Sequence, residues 1–339
     1  MPTSILSVFI PSTGVLVLAL GLGLGGCATD RVVAASVVVP CPGTSDPMPA
    51  GLPCGLVCRA ELPIRQSDSH LFLVDVQVGG KPALLMLDTG SDRTMLSPAA
   101  ATRLGLPPAT GVTERVLTIG GVSESGSTTM RGIAIGQARI DAGPVALMPS
   151  VQGAAGTGDL GFDGVLGDDF LSRYQIDLDF HGKKVRLYEG KLCPGSLPGW
   201  PAEASIVPFT SNPISKFVGI DVRLNGMPVK SLLDTGVELT IAAAPAVTQL
   251  GVFPDQLARD VPVRLLGIGP GGADARLHRF MTLDLGGATV PDPLVAILSG
   301  PNLAGPPGQP WMIVGDTVLA TRRVWIDYPG RQVHFGRPD

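Results

Sequence analysis

Two stretches decide the fold: Leu84-Leu85-Met86-Leu87-Asp88-Thr89-Gly90 and, 146 residues further on, Leu232-Leu233-Asp234-Thr235-Gly236. Each is an apolar run ending in Asp-Thr-Gly, which is typical of a buried strand that runs into a turn. Upstream of each, Gly79-Gly80 and Asn225-Gly226 stand between alternating apolar positions and predict two-residue hairpins. We therefore expect each Asp to follow the second strand of a hairpin.

The similarity between the two halves continues downstream of these turns. Gly164-Val165-Leu166-Gly167-Asp168 matches Met312-Ile313-Val314-Gly315-Asp316, and the positions after them stay in register. A chance likeness of two β-rich segments does not give this many matches at a nearly constant offset. The chain is therefore an internal duplication that predicts two equivalent lobes.

The composition indicates an all-β protein rich in turns. Charged residues make up 16% and aromatic residues 5% of the chain, whereas Gly (45) and Pro (32) are abundant. Val, Ile and Leu suit strands, and Gly and Pro suit turns. The net charge is −4 and there is no basic stripe, so we expect no nucleic-acid partner.

The N-terminus predicts export to the bacterial periplasm. Residues 14–24 form an apolar run with the length of a signal-peptide core, and Leu24-Gly25-Gly26-Cys27 resembles a lipobox. Lipidation of Cys27 would attach the protein to a membrane, and Ala28-Thr29 after it implies the outer membrane. No Lys or Arg precedes residue 31. Two alternatives therefore stay open, a misassigned start and an uncleaved anchor.

These signals divide the chain into five parts. They are a signal peptide with its lipobox, a tether rich in Cys and Pro, a first lobe, a linker and a second lobe, at 1–27, 28–60, 61–190, 191–204 and 205–339. Because both lobes lie in one chain, a monomer is sufficient to form any site between them.

The remaining cysteines predict disulfides rather than a metal site. Cys41, Cys54, Cys58 and Cys193 would form two disulfides in an exported chain, with three possible pairings. Cys54 and Cys58 have the spacing of half a zinc site, but no second pair completes it and the four histidines are scattered. We expect no metal and no other cofactor.

The duplicated Asp-Thr-Gly turns point to acid–base chemistry. Asp88 and Asp234, at the ends of equivalent buried strands, can meet across a pseudo-two-fold axis. Two carboxyl groups in a low dielectric then share one proton, which lets the pair activate a water molecule. Gly90 and Gly236 would let the two backbones approach closely, and the hydroxyls of Thr89 and Thr235 would bond across the junction.

At this point the sequence resembles the retropepsin-like aspartic peptidases. Asp-Thr-Gly-x-acid-x-Thr occurs twice. Each copy is followed by an apolar-apolar-Gly sequence, at 165–167 and 313–315, which we call the second element of its lobe. The resemblance implies two pseudo-symmetric closed β-barrel lobes with a few short helices, a cleft for a peptide or protein substrate, and catalytic roles for Asp88 and Asp234. The three tyrosines lie near the second element rather than in a hairpin, which favours the retropepsin type over the pepsin type.

The resemblance also assigns roles to neighbouring residues. Asp92 and Glu238 would bind substrate backbone, or else be solvated or locally paired acids. Flap hairpins are expected at Gly120-Gly121 with 122–129, and at 267–272, unless these are ordinary Gly-rich loops. Ser91 would donate to Asp88, whereas Val237 offers Asp234 no hydroxyl, so we expect Asp88 to be ionised more often. Asp168 and Asp316, just after the second element, are interpreted as helix N-caps.

Two alternatives to an enzyme stay open, because a fold does not guarantee an activity. The paired-lobe fold could serve a non-catalytic peptide-binding module, or a structural envelope lipoprotein in which the Asp-Thr-Gly turns only close hairpins. Loss of proteolysis in Asp88→Asn would separate the enzyme from both.

Overall fold

The computed structural model describes residues 4–6, 8–9, 55–67, 71–119, 121–149, 161–192, 197, 200, 204–211, 216–243, 250–267, 272–299 and 312–338. The helices are short: α1 (Pro98–Leu104), α2 (Asp168–Leu171), α3 (Pro254–Leu257) and α4 (Asp316–Leu319). Most described residues lie in strands.

The strands up to the end of the first half of the chain are β1 (Ser4–Leu6), β2 (Val8–Phe9), β3 (Gly55–Pro63), β4 (Arg65–Gln66), β5 (Phe72–Val78), β6 (Lys81–Leu87), β7 (Met95–Leu96), β8 (Thr110–Thr118), β9 (Gly121–Met130), β10 (Ile133–Ile135), β11 (Ala138–Ile140), β12 (Gly143–Leu147), β13 (Gly164–Leu166), β14 (Gln175–Asp179) and β15 (Lys184–Lys191). The strands of the second half are β16 (Ser205–Thr210), β17 (Val218–Leu224), β18 (Met227–Leu233), β19 (Thr240–Ala243), β20 (Val261–Gly267), β21 (Gly272–Arg279), β22 (Thr282–Asp284), β23 (Thr289–Pro291), β24 (Leu294–Leu298), β25 (Met312–Val314), β26 (Arg322–Asp327) and β27 (Gln332–Pro338).

The two predicted hairpins precede the Asp-Thr-Gly turns as expected. β5 pairs with β6 and β17 with β18, with turns at Gly79-Gly80 and Asn225-Gly226. All four turn residues have positive φ, at 57°, 79°, 49° and 80° in chain order. Such a turn matches the right-handed twist of the strands and needs Gly or Asn at these positions, which is why these dipeptides predicted it.

The two lobes have the same strand order. In lobe one the order is β8-β9-β12-β7-β13-β6-β5-β10-β11, and in lobe two it is β20-β21-β24-β19-β25-β18-β17-β22-β23. In each lobe the strand of the second element, β13 or β25, runs parallel to the strand before the Asp and antiparallel to the strand after it. This places the apolar-apolar-Gly element directly beside the Asp-Thr-Gly turn.

A six-stranded sheet joins the lobes, in the order β16-β27-β26-β14-β15-β3. At its centre β14 pairs with β26, so one strand from each half meets on the pseudo-two-fold axis. The fully buried Asp177 accepts hydrogen bonds from Arg186 (3.0 Å) on its own side and from Arg323 (2.7 and 2.5 Å) of the other half. These charge-assisted bonds tie the two halves together.

β3 changes the expected boundary of the tether. The predicted end of the tether at residue 60 falls inside β3, which pairs along its length with β15. Residues 55–60 therefore belong to the sheet between the lobes. The predicted linker at 191–204 lies between β15 and β16, with its first residue still in β15.

The all-β class with two equivalent lobes and few short helices is confirmed. Within the described ranges, no strand pairing closes either order into a full barrel. None of the helices in the described part of the chain is long and apolar enough to cross a bilayer. The apolar run at 14–24 and Cys27 lie outside the described residues, whereas the backbones of β1 and β2 pair with β8 and β20.

Candidate active site

Asp88 and Asp234 are brought together at the centre of the molecule. Each follows a buried strand, and each backbone N–H donates to the second element of its own lobe, at Leu166 O (3.1 Å) and Val314 O (3.0 Å). Both side chains are fully buried. Oδ1 of each carboxyl group accepts a bond from the Gly N–H two residues later, at 2.9 Å in lobe one and 2.8 Å in lobe two. The carboxyl groups are thus held in matching orientations.

The two threonines interlock the turns. The hydroxyl of Thr89 donates to Leu233 O (3.0 Å) and accepts from the Thr235 N–H (3.1 Å). The hydroxyl of Thr235 donates to Leu87 O (2.8 Å) and accepts from the Thr89 N–H (3.2 Å). The expected bonding across the junction is present. Because each buried hydroxyl both donates and accepts a bond across the junction, the interlock holds the two Asp-Thr-Gly turns against each other.

Gly90 lies directly against the opposite carboxyl group. A Cβ placed on Gly90 would stand 2.1 Å from Asp234 Oδ2 and 2.2 Å from its Cγ. Those separations are far below van der Waals contact, so only glycine fits between the turn of lobe one and the carboxyl group of lobe two.

Burial favours a state in which Asp88 and Asp234 together hold one proton. Burial raises the pKa of Asp234 to about 6, and bonds from the Gly236 N–H and from Asp88 oppose that shift. The neighbouring carboxyl groups repel each other when both are charged, so the pair titrates as a unit. A pair that holds one proton can act as acid and base at the same time.

A second pair of buried acids lies behind the first, and here the sequence interpretation was wrong. The N-caps of α2 and α4 are Gly167 and Gly315, and neither helix has a side-chain cap. Asp168 and Asp316 are instead the first helical residues, buried inside the protein. Their backbone N–H groups donate to the loops that follow Asp88 and Asp234, which together we call the dyad, at Ser91 O (2.8 Å) and Val237 O (2.9 Å).

Burial raises the pKa of Asp168 and of Asp316 well above the usual value. The charge of Asp88 adds to the rise at Asp168, and the charges of Asp234 and Asp88 add to the rise at Asp316. Tyr328 donates to Asp168 Oδ1 at 2.6 Å, whereas neither oxygen of Asp316 has a hydrogen-bond partner in the described part of the chain. The signal for this second pair in the sequence is the recurrence of an acid at the same position of both repeats.

The burial of Asp316 predicts a pH-dependent effect on stability. Its pKa is raised on folding, so at low pH both states are protonated, and as pH rises past the unfolded pKa only the unfolded chain gains by ionising. Wild type should therefore lose stability through that window. Asp316→Asn should lose less, because position 316 no longer contributes to this dependence, whereas buried acids such as Asp168, Asp169 and Asp234 still do. Between about pH 4 and about pH 7 the variant should gain about 1 to 3 kcal/mol on wild type in urea unfolding.

The control for this prediction is Asp255→Asn, which changes an acid on the surface of α3 that is 70% exposed. That variant should follow wild type at both pH values. A constant difference between Asp316→Asn and wild type at acidic and neutral pH would contradict the assignment of Asp316 as a protonated buried acid.

The expected bond from Ser91 to Asp88 is absent. The Ser91 hydroxyl donates to Arg93 O (2.8 Å), two residues along its own loop. A hydroxyl has one proton to donate, so this bond removes the basis we gave for unequal ionisation of Asp88 and Asp234. A difference between the lobes that does involve a side-chain hydrogen bond to these acids is Tyr328, which donates to Asp168.

The predicted substrate-binding acids lie beside the dyad loops. Asp92 is held by an ion pair with Arg93 (3.2 Å) and is largely buried. Glu238 is partly buried, and its charge contributes to the raised pKa of Asp316. The lobes thus differ at the next position, where Arg93 has Leu239 as its counterpart.

The predicted flap segments form hairpins. β8 pairs with β9 in lobe one and β20 with β21 in lobe two. Gly121 begins β9 with φ 119°, whereas Gly120 lies outside the described residues, as does the turn 268–271. Ile119, in the turn of the lobe-one hairpin, is buried in an apolar cluster otherwise made of lobe-two residues such as Val237 and Leu265. This hairpin therefore reaches across to the second lobe.

No group of three or more His, Cys, Asp or Glu is arranged to hold a metal ion within the described ranges. Cys58, in β3, is disulfide-bonded. Cys27, Cys41, Cys54 and Cys193 lie outside the described residues, so the pairing predictions stay predictions.

Comparison with known proteins identifies the repeat unit. The aspartyl protease family model matches residues 74–170 and again 220–315, which together make up more than half of the chain. Each match contains one Asp-Thr-Gly turn and its second element. No curated protein matches the chain. The chain therefore belongs to the retropepsin-like aspartyl proteases, with two family repeats fused in one polypeptide.

Proposed function

We propose that this protein is an aspartic endopeptidase in which Asp88 and Asp234 hydrolyse peptide bonds. The observation that carries the proposal is the buried pair itself. Two carboxyl groups from equivalent loops interact directly, and four hydrogen bonds of the interlocked threonines hold their loops. A pair whose only task was to close two hairpins would not need to be buried, because burial of charge is unfavourable.

The proposed reaction needs one proton on the pair. The ionised carboxylate takes a proton from a water molecule held between the two groups, and the protonated carboxyl group donates to the carbonyl oxygen of the peptide. Water attacks the carbonyl carbon, and the resulting tetrahedral intermediate is neutral. The protonated carboxyl group then gives its proton to the amide nitrogen while the ionised carboxylate takes a proton from one hydroxyl of the intermediate. The C–N bond breaks to give an amine and a carboxylic acid, and the pair ends with the one proton with which it began.

The pH range follows from the same pair. With the pKa of Asp234 raised to about 6, the shared proton is present below about pH 6 and is lost as the pH rises through that value. We expect activity on the acidic side of neutrality and a decrease above it.

The substrate is proposed to be an extended peptide or an unfolded protein segment. Asp92 and Glu238 would bind its backbone, and the hairpin with Gly120 and Gly121 would cover it. Because both lobes are in one chain, the monomer forms the complete site. We also propose export and attachment to the outer membrane through lipidated Cys27. The disulfide at Cys58 supports an oxidising compartment.

The test is hydrolysis of a denatured casein-type protein, read by mass spectrometry of the products at about pH 5. Fragments that disappear when a statine-type inhibitor is added support the proposal, because the inhibitor's hydroxyl group replaces the attacking water. Tight binding of the inhibitor without any cleavage would favour a non-catalytic peptide-binding protein. Neither binding nor cleavage would favour a structural lipoprotein.

A further inference from the structure

One hydrogen bond links the acid layer behind the dyad to the other lobe. Tyr328, in the turn between β26 and β27 of lobe two, donates to Oδ1 of Asp168 at the start of α2 in lobe one, at 2.6 Å. Asp168 is completely buried, and its Oδ2 has no hydrogen-bond partner in the described chain. The ring of Tyr328 packs edge-on against Phe209, with centroids 5.8 Å apart. The phenol is thus fixed in place.

The duplication shows that this bond is one-sided. Asp327 matches Asp179 in the repeat, so the counterpart of Tyr328 is Phe180. Phe180 lies by the end of α4, where it lines a cavity together with Ala320 and Thr321. Its ring packs against Phe72, at 4.5 Å between centroids. A phenylalanine cannot donate a hydrogen bond, so Asp316 receives no bond equivalent to the one at Asp168.

We propose that Tyr328 and Asp168 are positioning residues that set the pH range of the dyad. This inference rests on the proposed function and goes beyond it. Tyr328 favours the ionised form of Asp168, because a hydrogen-bond donor stabilises a carboxylate more than a carboxylic acid. Burial opposes ionisation of Asp168, so the Tyr328 bond extends the pH range over which Asp168 is charged. Where it is charged, its negative charge makes it harder for the dyad to lose its shared proton.

The surrounding charges allow this coupling. Asp168 faces Asp88 and Asp92 of the loop after β6, Asp169 of its own helix, and Tyr328 from the other lobe. Asp234 in turn is affected by the charge of Asp168, and Asp316 lies close enough to both dyad carboxyl groups for their charges to act on it. Apart from Arg93, which pairs with Asp92, the charged groups in this set are all acidic. Protonation of Asp168 therefore changes how readily the dyad loses its shared proton.

Three variants test the direction of the effect. In Tyr328→Phe, Asp168 loses its donor and keeps its proton to higher pH, so the dyad should lose its shared proton more easily. The alkaline limb of the pH profile of kcat/KM should shift to lower pH by about 0.5 pH unit or more. Asp168→Asn should move it in the same direction, and adding Tyr328→Phe to that variant should change nothing further. Phe180→Tyr supplies Asp316 with a hydrogen-bond donor and should shift the alkaline limb to higher pH.

A second measurement does not require activity. Carboxyl ¹³C NMR of the full chain labelled at aspartate, with the Asp168 signal assigned from its absence in Asp168→Asn, should show Asp168 titrating at higher pH in Tyr328→Phe than in wild type. If that shift is seen but wild type cleaves no peptide, the proposed function is wrong and the Tyr328–Asp168 coupling is still present. If Asp168 titrates identically in both proteins, the inference is wrong.

A purely structural role for Tyr328 gives a different pattern. Tyr328→Phe would then lower kcat/KM by the same factor at every pH, and the alkaline limb would not move. That result, or a further shift when Tyr328→Phe is added to Asp168→Asn, would also overturn the inference.

Discussion

Replacing Asp234 by Asn is expected to reduce kcat/KM for peptide hydrolysis by at least about 10³-fold, because the amide can neither accept nor return the shared proton. The shape of the side chain is kept. The amide oxygen of the new residue can still accept the bond from the Gly236 N–H, now 2.8 Å from Oδ1, so the loop should hold its place. Asp88→Asn should cause a loss of the same size, and the double variant should be no worse, since the two groups act as one unit.

The matched control is Asp221→Asn in the same lobe, which changes a carboxylate that is 69% exposed and paired with Lys230. It should keep the activity and the urea-unfolding midpoint of wild type. Removing a buried charge should leave the Asp234→Asn fold at least as stable as wild type near neutral pH. If Asp234→Asn retained more than a tenth of the activity, the dyad would not be the source of the chemistry.

Gly90→Ala is expected to abolish activity through geometry alone. The added methyl group would stand 2.1 Å from one oxygen of Asp234 and 2.6 Å from the other. One of the two turns must move, and the turns are held together by buried hydrogen bonds, so we expect a loss of about 3 kcal/mol in the free energy of unfolding. Displacement of a carboxyl group by about 1 Å is enough to reduce kcat by about 10²-fold or more.

Gly143→Ala is the control for this substitution, since a Cβ there meets nothing within 4 Å and its φ is not positive. It should be close to neutral in stability and in kcat/KM. Unfolding by urea measures the loss in the free energy of unfolding. Single-turnover kinetics on the folded fraction measures the loss in rate that comes from the displaced carboxyl group. A Gly90→Ala enzyme with wild-type activity would show that the contact between the turns is not required.

The fold and the dyad were predictable because both are encoded locally and twice. Gly79-Gly80 and Asn225-Gly226 require positive φ, which few residues accept, so the hairpins are visible in the sequence. The repeat then fixed which turns are symmetry mates. The interlock of Thr89 with Thr235 followed from that symmetry and from the need of a buried hydroxyl for partners.

The features that the sequence did not predict depend on packing between residues that are far apart in the chain. An Asp that follows a Gly at the start of a helix looks like a cap, and only the tertiary structure shows that Asp168 points into a buried layer of acids. The Ser91 hydroxyl was expected to donate to Asp88, but the geometry of its loop directs it to Arg93 O. Residues 55–60 of β3 were assigned to a tether because the partner strand, β15, is more than 120 residues away in the chain.

The most direct test of the central claim is titration of the active site of the monomeric protein with a tight-binding statine-type inhibitor. One chain with two lobes should contain one complete site, so activity should reach zero at one equivalent of inhibitor per chain. The inhibited species should have the mass of a monomer. Asp88→Asn and Asp234→Asn, mixed together, should remain inactive. An end point at half an equivalent per chain, or activity restored on mixing, would contradict the pairing of Asp88 and Asp234 within one chain.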